Sequence, residues 1–428
     1  MLVAMFAAKL AGEPPPADEV RLAGLIAEPM AGDWRGLARF DGILTRQEFE
    51  SRMDRIFDPW GGLRDYLRLG RDSVAIYASA RDRREPLVVI RFAQRSRGVR
   101  APPEAYRNPG ATDPPVATDR PLAGLRVVIE PADIGGAWAA MEDRSVDFPG
   151  YGRVNEGDLN LKVALILRSR LVQLGADVYL VRDRPEPILP IARDHLLAVA
   201  ERLLRDHPDL LPGSMQSLAA GLRPGDSSRL RFTAGLLLTK TLETRARTAQ
   251  VRRSFHPDIT IVLQHDATPG SADGRLTPTN RNIFFVEGAY LPSELQDPWQ
   301  RFRLLSKLLG NVTPTETTVA VAIAARFRAV TGFPPVLYGD SATTRLVAPD
   351  NPYVVARNLD FNREHDGPVV VTEPYFMNQP VTLARLVAGD YPGLRDLAGH
   401  PRPSIFREYA DCVAAGLVDA YASHSIGR

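Results

Sequence analysis

A β–α–β pattern constrains the fold of this chain more than any other sequence feature. It begins with the continuous apolar run Leu125–Ile129, which is typical of a strand buried in a parallel sheet. A helical pattern follows over Asp158–Leu174, and Gly175 stands where a left-handed helix end is favoured. Val178–Val181 is the next apolar run. The pattern predicts an α/β domain with a mostly parallel twisted sheet and helices on both faces.

Later segments of the chain fit the same architecture. Short apolar runs predict strands at Ile259–Leu263, Ile283–Val286 and Val369–Thr372. Helical spacing predicts helices at about Ile191–Asp206, Ser228–Arg252, Trp299–Leu309 and Glu316–Val330. We therefore assign residues 122–428 to one α/β domain.

The first 121 residues have a different composition. Residues 1–21 contain a Pro-rich stretch and predict a flexible N-terminus, and the Pro-rich segment 98–121 predicts a linker. Residues 22–97 predict a small α+β unit. It has a Thr-capped helix at Thr45–Phe57 and two strands at Val74–Ala78 and Leu87–Phe92.

Composition excludes several functional classes. Apolar residues make up 44% of the 428 residues, which is enough for a sizeable core. The net charge is +2 and no Lys/Arg block occurs, which argues against nucleic-acid binding. Cys412 is the single cysteine, so no intrachain disulfide and no thiolate zinc cluster can form. The sequence has no uninterrupted apolar stretch of roughly 18 residues, so it predicts no membrane span.

Candidate site residues follow the predicted strands, because ligands of open α/β sheets bind beyond the carboxyl ends of strands. Asp133, His265, Glu287 and Glu373 stand at such points, and Glu156 begins a helix that can reach the same rim. One Asp, one Glu and one His supply zinc-type donors and leave a position for water, and a further carboxylate, Glu373 or its rival Glu287, can act as general base. The alternatives are a turn-bracing role for Asp133 and a helix-dipole role for Glu156.

Other chemistry has less support in the sequence. Four arginines near the predicted strand ends could clamp an anionic group or form surface ion pairs: Arg144, Arg281, Arg357 and Arg363. The Gly-x-Ser-x-Gly motif of serine hydrolases does not occur, nor does a nucleotide-binding glycine motif.

Four motifs resemble those of zinc-dependent N-acetylmuramoyl-L-alanine amidases, in the same order. The first-turn motif is IEPADIGG (Ile129–Gly136), and the Glu-bearing helix with its following strand is Asn155–Asp183. The second-histidine strand is PDITIVLQHDA (Pro257–Ala267), and the catalytic-glutamate motif is GPVVVTEPYFMNQP (Gly367–Pro380). The chain departs from the family at the first histidine, where it has Asp133.

The resemblance implies a hydrolase of the bacterial cell wall. It implies that Asp133, Glu156 and His265 bind Zn2+, that Glu373 is catalytic, and that the substrate is peptidoglycan or a muropeptide. The bond cleaved would be the amide between N-acetylmuramic acid and L-alanine. A periplasmic or cell-envelope location follows from that substrate, although the N-terminus lacks a clear signal peptide and a cytoplasmic location stays open.

Asp133 also supports an alternative from another functional class. Aspartate can ligate zinc through oxygen, but it adds negative charge where the family has a neutral imidazole. The alternative is a catalytically inactive module of the same fold that binds peptidoglycan or a protein partner. The two differ in geometry, because a metal site requires the side chains of Asp133, Glu156 and His265 to converge on one point.

Overall fold

The computed structural model describes residues 32–95, 106–109, 119–142, 144–189, 192–206, 219–223, 225–267, 274–338, 343–397 and 399–422. The chain divides into two compact units. One comprises Met1–Pro103, Ile188–Ala249 and Tyr290–Asn311, and the other comprises Glu104–Pro187, Gln250–Ala289 and Val312–Arg428. The predicted flexible segment 1–21 and most of the predicted linker 98–121 lie outside the described residues. The four predicted segment boundaries stay predictions.

The described helices and strands are numbered in chain order. The α-helices are α1 (Arg46–Arg52), α2 (Glu156–Gln173), α3 (Arg193–Asp206), α4 (Ser227–Leu236), α5 (Thr244–Ser254), α6 (Pro298–Leu309), α7 (Thr313–Thr331), α8 (Asp360–Glu364), α9 (Pro380–Val387) and α10 (Ile405–Ala422). The strands are β1 (Leu67–Leu69), β2 (Ser73–Ile76), β3 (Val88–Arg91), β4 (Arg126–Pro131), β5 (Ser145–Phe148), β6 (Gly152–Asn155), β7 (Asp177–Leu180), β8 (Ile259–Leu263), β9 (Ile283–Val286), β10 (Arg345–Leu346), β11 (Val354–Ala356), β12 (Val369–Glu373), β13 (Leu394–Leu397) and β14 (His400–Pro403). A π-helical turn, Leu237–Glu243, joins α4 to α5.

The first unit contains an antiparallel sheet and the predicted capped helix. Strands β1, β2 and β3 pair in that order. Thr45 caps α1 through a reciprocal capping box with Glu48, whose carboxylate accepts the Thr45 backbone N–H at 2.8 Å. The apolar stripe of Phe49, Met53 and Phe57 is fully buried. The small α+β unit predicted from the sequence is therefore present.

The second unit is built on a seven-stranded sheet with the order β10-β11-β9-β12-β8-β4-β7. Neighbours β7, β4, β8 and β12 are mutually parallel, and β11 is parallel to β9. The exceptions are β9, which is antiparallel to β12, and the short edge strand β10, which is antiparallel to β11. The predicted α/β class with a mostly parallel sheet is confirmed.

Helices cover both faces of this sheet. Phe284 and Phe285 are adjacent on β9 and therefore point to opposite faces. The Phe284 ring packs 5.4 Å from the Phe327 ring of α7, whereas Phe285 belongs to a buried cluster with Phe361 of α8. Helix α10 packs against both α2 and α7. Among the described residues, no helix has the length and apolarity needed to cross a lipid bilayer.

Candidate functional site

The first element of the candidate site is the tight turn that follows β4. Asp133 is 1% exposed and has a positive φ of 58°, a conformation that Asp tolerates better than most residues. Its backbone oxygen accepts a hydrogen bond of 2.7 Å from the Arg182 guanidinium. The Gly136 N–H donates to Asp158 Oδ1 at 3.0 Å, which ties the turn to the start of α2. These contacts hold the backbone of the turn from which the Asp133 carboxyl projects.

A β-hairpin places a guanidinium beside that carboxyl. Arg144 precedes β5 and Glu156 follows β6, and the Glu156 N–H donates to the Arg144 backbone oxygen at 3.0 Å. Arg144 Nε lies 3.6 Å from Asp133 Oδ1 and 3.6 Å from Glu156 Oε2. The two carboxylates are almost completely buried, whereas the Arg144 side chain is 43% exposed. Arg144 is thus an internal counter-cation for the buried pair.

The Glu156 carboxyl is held in an unusual electrostatic state. Burial raises its pKa well above the usual range, and the neighbouring Asp133 carboxylate raises the pKa further. Arg144 acts in the opposite direction, because its positive charge favours the carboxylate form. Glu156 Oε1 also accepts the backbone N–H of His265 at 3.2 Å. Burial and the Asp133 charge therefore both favour the protonated form of Glu156, and Arg144 favours the ionised form.

His265 stands next to this pair in a fixed orientation. Its Nδ1 is 2.8 Å from Asn160 Oδ1, and Asn160 in turn donates to the Ala132 backbone oxygen at 3.0 Å. Burial lowers the pKa of His265 to about 3, so the ring is neutral at physiological pH. With a neutral ring, Nδ1 donates to the amide oxygen and Nε2 carries the lone pair.

Glu373 ends β12 and faces the same cluster of charges. Burial raises its pKa to about 8, and the nearby Asp266 carboxylate adds to the shift. The guanidinium groups of Arg357 and Arg144 act in the opposite direction. Burial likewise raises the pKa of Asp266 to about 6. The rim thus combines four acidic groups with two guanidinium groups, and at least some of the acids are protonated at neutral pH.

A tyrosine behind the rim holds two strand ends together. The Tyr409 hydroxyl of α10 lies 3.0 Å from the Gln264 backbone oxygen and 2.7 Å from the Thr372 backbone oxygen. Gln264 and Thr372 directly precede His265 and Glu373. Tyr409 also packs its ring 5.5 Å from the His265 ring. The spacing between the imidazole and the Glu373 carboxyl is therefore set by a buried anchor.

The structure places Glu287, the rival candidate for the Glu373 role, elsewhere. Because β9 is antiparallel to β12, with Glu373 opposite Ile283, the carboxyl end of β9 lies at the other edge of the sheet. Glu287 is fully buried there, and its N–H donates to Glu316 Oε2 at 3.2 Å. The other carboxylate oxygen of Glu316 accepts from the Val369 N–H at the start of β12. Glu287 therefore lies outside the candidate site.

The predicted zinc ligands are neighbours but do not fit a metal ion as they are arranged. Their donor types are suitable for zinc. However, the described part of the chain has no group of three or more His, Cys, Asp or Glu side chains arranged to hold a metal. Arg144 lies against two of the three predicted ligands, Asp133 and Glu156. A guanidinium repels a divalent cation at that distance, and it already supplies positive charge to both carboxylates.

Three residues of the site were not predicted from the sequence: Asn160, Asp266 and Tyr409. Asn160 stands four residues after Glu156 on α2, which places both side chains on one helix face, and that spacing was an available signal. Asp266 directly follows His265 and belongs to the same strand-end loop. Arg144 and Arg357 were predicted as possible anion clamps or as partners in surface ion pairs. Their contact with the carboxyl cluster depends on the tertiary structure.

Comparisons with known proteins give structural matches alone. No family model matches the chain, and neither does any curated protein. Cwp6 from Clostridium difficile matches with a TM-score of 0.35 and 16% identity, covering 70% of this chain but only 29% of the Cwp6 chain. The N-acetylmuramyl-L-alanine amidase Ami1 from Mycobacterium smegmatis matches with a TM-score of 0.36 and 15% identity, over 69% of this chain and 96% of that one. The apo form of Ami1 from Mycobacterium abscessus matches with a TM-score of 0.36 and 14% identity, over 70% and 99%.

Proposed function

We propose that this chain is an amidase-like module that binds peptidoglycan at the rim formed by Asp133, Glu156, His265 and Glu373 without hydrolysing it. The observation that carries the proposal is the position of Arg144, whose Nε lies 3.6 Å from both Asp133 and Glu156. Support for peptidoglycan comes from the four sequence motifs that resemble N-acetylmuramoyl-L-alanine amidases. Under this proposal the protein works at the cell envelope, where peptidoglycan is found.

The charges of the rim suit a peptide that carries both amino and carboxyl groups. Arg144 is 43% exposed and can present N–H donors to a carboxylate or an amide oxygen of a muropeptide. Arg357 lies on the same side as Glu373 and Asp266, since it acts on the pKa of both carboxyls. Ionised carboxyls of the rim can accept from ammonium or amide N–H groups. Binding then requires no ion in the site.

A second candidate is the zinc-dependent amide hydrolysis that the resemblance implies, with peptidoglycan as substrate. It is favoured by the neutral His265 ring, which Asn160 fixes with the Nε2 lone pair available. It is also favoured by Glu373, whose pKa of about 8 allows the carboxyl to hold and release a proton near neutral pH. This candidate requires the Arg144 guanidinium to leave the Asp133–Glu156 pair.

One experiment separates the two candidates. The full chain, with and without added zinc, is incubated with purified peptidoglycan sacculi. Bound protein is measured by co-sedimentation, and released peptides are measured by mass spectrometry. We expect binding that Arg144→Ala weakens, with no peptide release in either condition. Zinc-dependent release of stem peptides with a free L-alanine amine would overturn the proposal and support hydrolysis. Absence of binding and of release would contradict both.

A further inference from the structure

A cavity outside the candidate site lies in the second unit of the chain. It has a volume of about 220 Å³ and lies between the end of α7, the start of α9, β14 and α10. Its lining combines an apolar wall with a polar one. The lining residues are Val330, Thr331, Phe333, Gln379, Val381, Thr382, Arg385, Arg402 and Glu408.

The negative charge in this cavity is already paired. Arg385 makes two hydrogen bonds to Glu408, of 3.0 and 2.9 Å, in a fork geometry. The Tyr375 hydroxyl donates to Glu408 Oε1 at 2.8 Å. Arg385 is only 4% exposed, so this ion pair is an internal part of the cavity wall. Both oxygens of Glu408 are therefore occupied by donors from the protein itself.

The positive charge of Arg402 is not matched in this way. Within the described residues, no carboxylate lies within 4.0 Å of its guanidinium. The Nε atoms of Arg402 and Arg385 are both buried, and neither has a hydrogen-bond partner in the described part of the chain. Buried polar groups in folded proteins normally have partners, so two such donors on residues that line one cavity point to a ligand that accepts hydrogen bonds.

We propose that this cavity binds a small organic carboxylate. Arg402 and Arg385 give the lining one more positive than negative charge, because Glu408 is neutralised by Arg385. A guanidinium matches the planar, two-oxygen geometry of a carboxylate. The apolar wall of Val330, Phe333 and Val381 suits a short branched hydrocarbon end, and the volume limits the ligand to roughly the size of an amino acid.

The test uses the full chain and isovalerate as the probe, with acetate and inorganic phosphate for comparison. Saturation-transfer NMR titrations give the affinity of each. We expect saturable binding of isovalerate that is tighter than acetate, because acetate cannot fill the apolar wall. Arg402→Gln should weaken the binding of isovalerate about tenfold, which is the effect of removing one charged hydrogen-bond donor. Arg402→Lys keeps the positive charge but loses the planar, two-donor geometry of the guanidinium, so it should recover only part of the affinity.

A matched control is Arg328→Gln, which removes the same charge from an exposed position on α7 outside the cavity lining. It should leave the isovalerate affinity unchanged, and thermal unfolding checks that each variant is folded. Three results would overturn the proposal: no saturable binding of isovalerate, equal losses in the Arg402 and Arg328 variants, or phosphate binding as tightly as isovalerate.

Discussion

Removing the Arg144 guanidinium should convert the buried carboxyl pair into a cation-binding site. At 3.6 Å and an effective dielectric constant of about 20, the attraction of Arg144 to an ionised Asp133 or Glu156 carboxylate is about 4.6 kcal/mol before desolvation. Because 43% of the Arg144 side chain is exposed, screening reduces the net contribution to at most about 1 kcal/mol per pair. Arg144→Ala should therefore lower the free energy of unfolding at neutral pH by at most about 2 kcal/mol.

Zinc should reverse this loss in the variant but not stabilise the parent. With the guanidinium gone, the Asp133 and Glu156 carboxyls lose the cation that lies 3.6 Å from both, and the neutral ring of the neighbouring His265 is the nearest nitrogen donor that a small rearrangement could add. Bound zinc at a free concentration of about 100 times Kd would raise the free energy of unfolding by about 2.7 kcal/mol. The assays are urea denaturation with and without zinc and elemental analysis of the purified protein. His265→Ala on the Arg144→Ala background should abolish the zinc effect.

Arg153→Ala is the matched control for this experiment. Arg153 lies on the same hairpin, is 68% exposed, and is 3.8 Å from Asp147, away from the carboxyl pair. Its removal should change neither stability nor zinc binding measurably. The reasoning is refuted if Arg144→Ala gains no zinc and no stabilisation by zinc. It is also refuted if the parent already carries about one zinc per chain that His265→Ala removes.

Three further perturbations test the site. Asn160→Ala removes the buried partner of His265 Nδ1 and should lower the free energy of unfolding, measured by urea denaturation, by about 1–3 kcal/mol. A loss below about 0.5 kcal/mol would contradict the anchoring role of Asn160. The pKa of Glu373 is about 8 in the folded state, above its ordinary value of 4.5, so protonation of this carboxyl favours the folded state. That contribution to stability is lost as pH rises from about 4.5 to about 8. Glu373→Gln should therefore raise Tm more at pH 8 than at pH 5, and equal changes at both pH values would be inconsistent with the raised pKa. Gly157→Ala would bring a Cβ within 2.6 Å of the Ile134 backbone oxygen, so it should destabilise the fold and weaken sacculus binding; unchanged Tm and binding would show that the turn tolerates the methyl group.

Local patterns in the sequence determined most of the secondary structure. Strands β8 and β9 have the predicted bounds, because each is a short apolar run buried along its whole length. Helix α2 was predictable from its periodicity, and α1 from its capping Thr45. The small N-terminal α+β unit and the mostly parallel sheet followed from the order of these elements. Burial of apolar runs is a local property, so single segments reveal it.

Strand direction and side-chain pairing were decided only by the tertiary structure. A buried strand has the same composition in either direction, so no sequence pattern indicates that β9 is antiparallel to β12 and takes Glu287 to the opposite edge. Hairpin β5–β6 brings Arg144 back to Glu156, although a surface ion pair was the default expectation for any single arginine. The protonation of Glu156 and Glu373 likewise depends on burial and on charges distant in sequence. Local pattern thus identified Asp133, Glu156, His265 and Glu373 as candidates, whereas long-range packing determined the cation that faces the buried carboxyls.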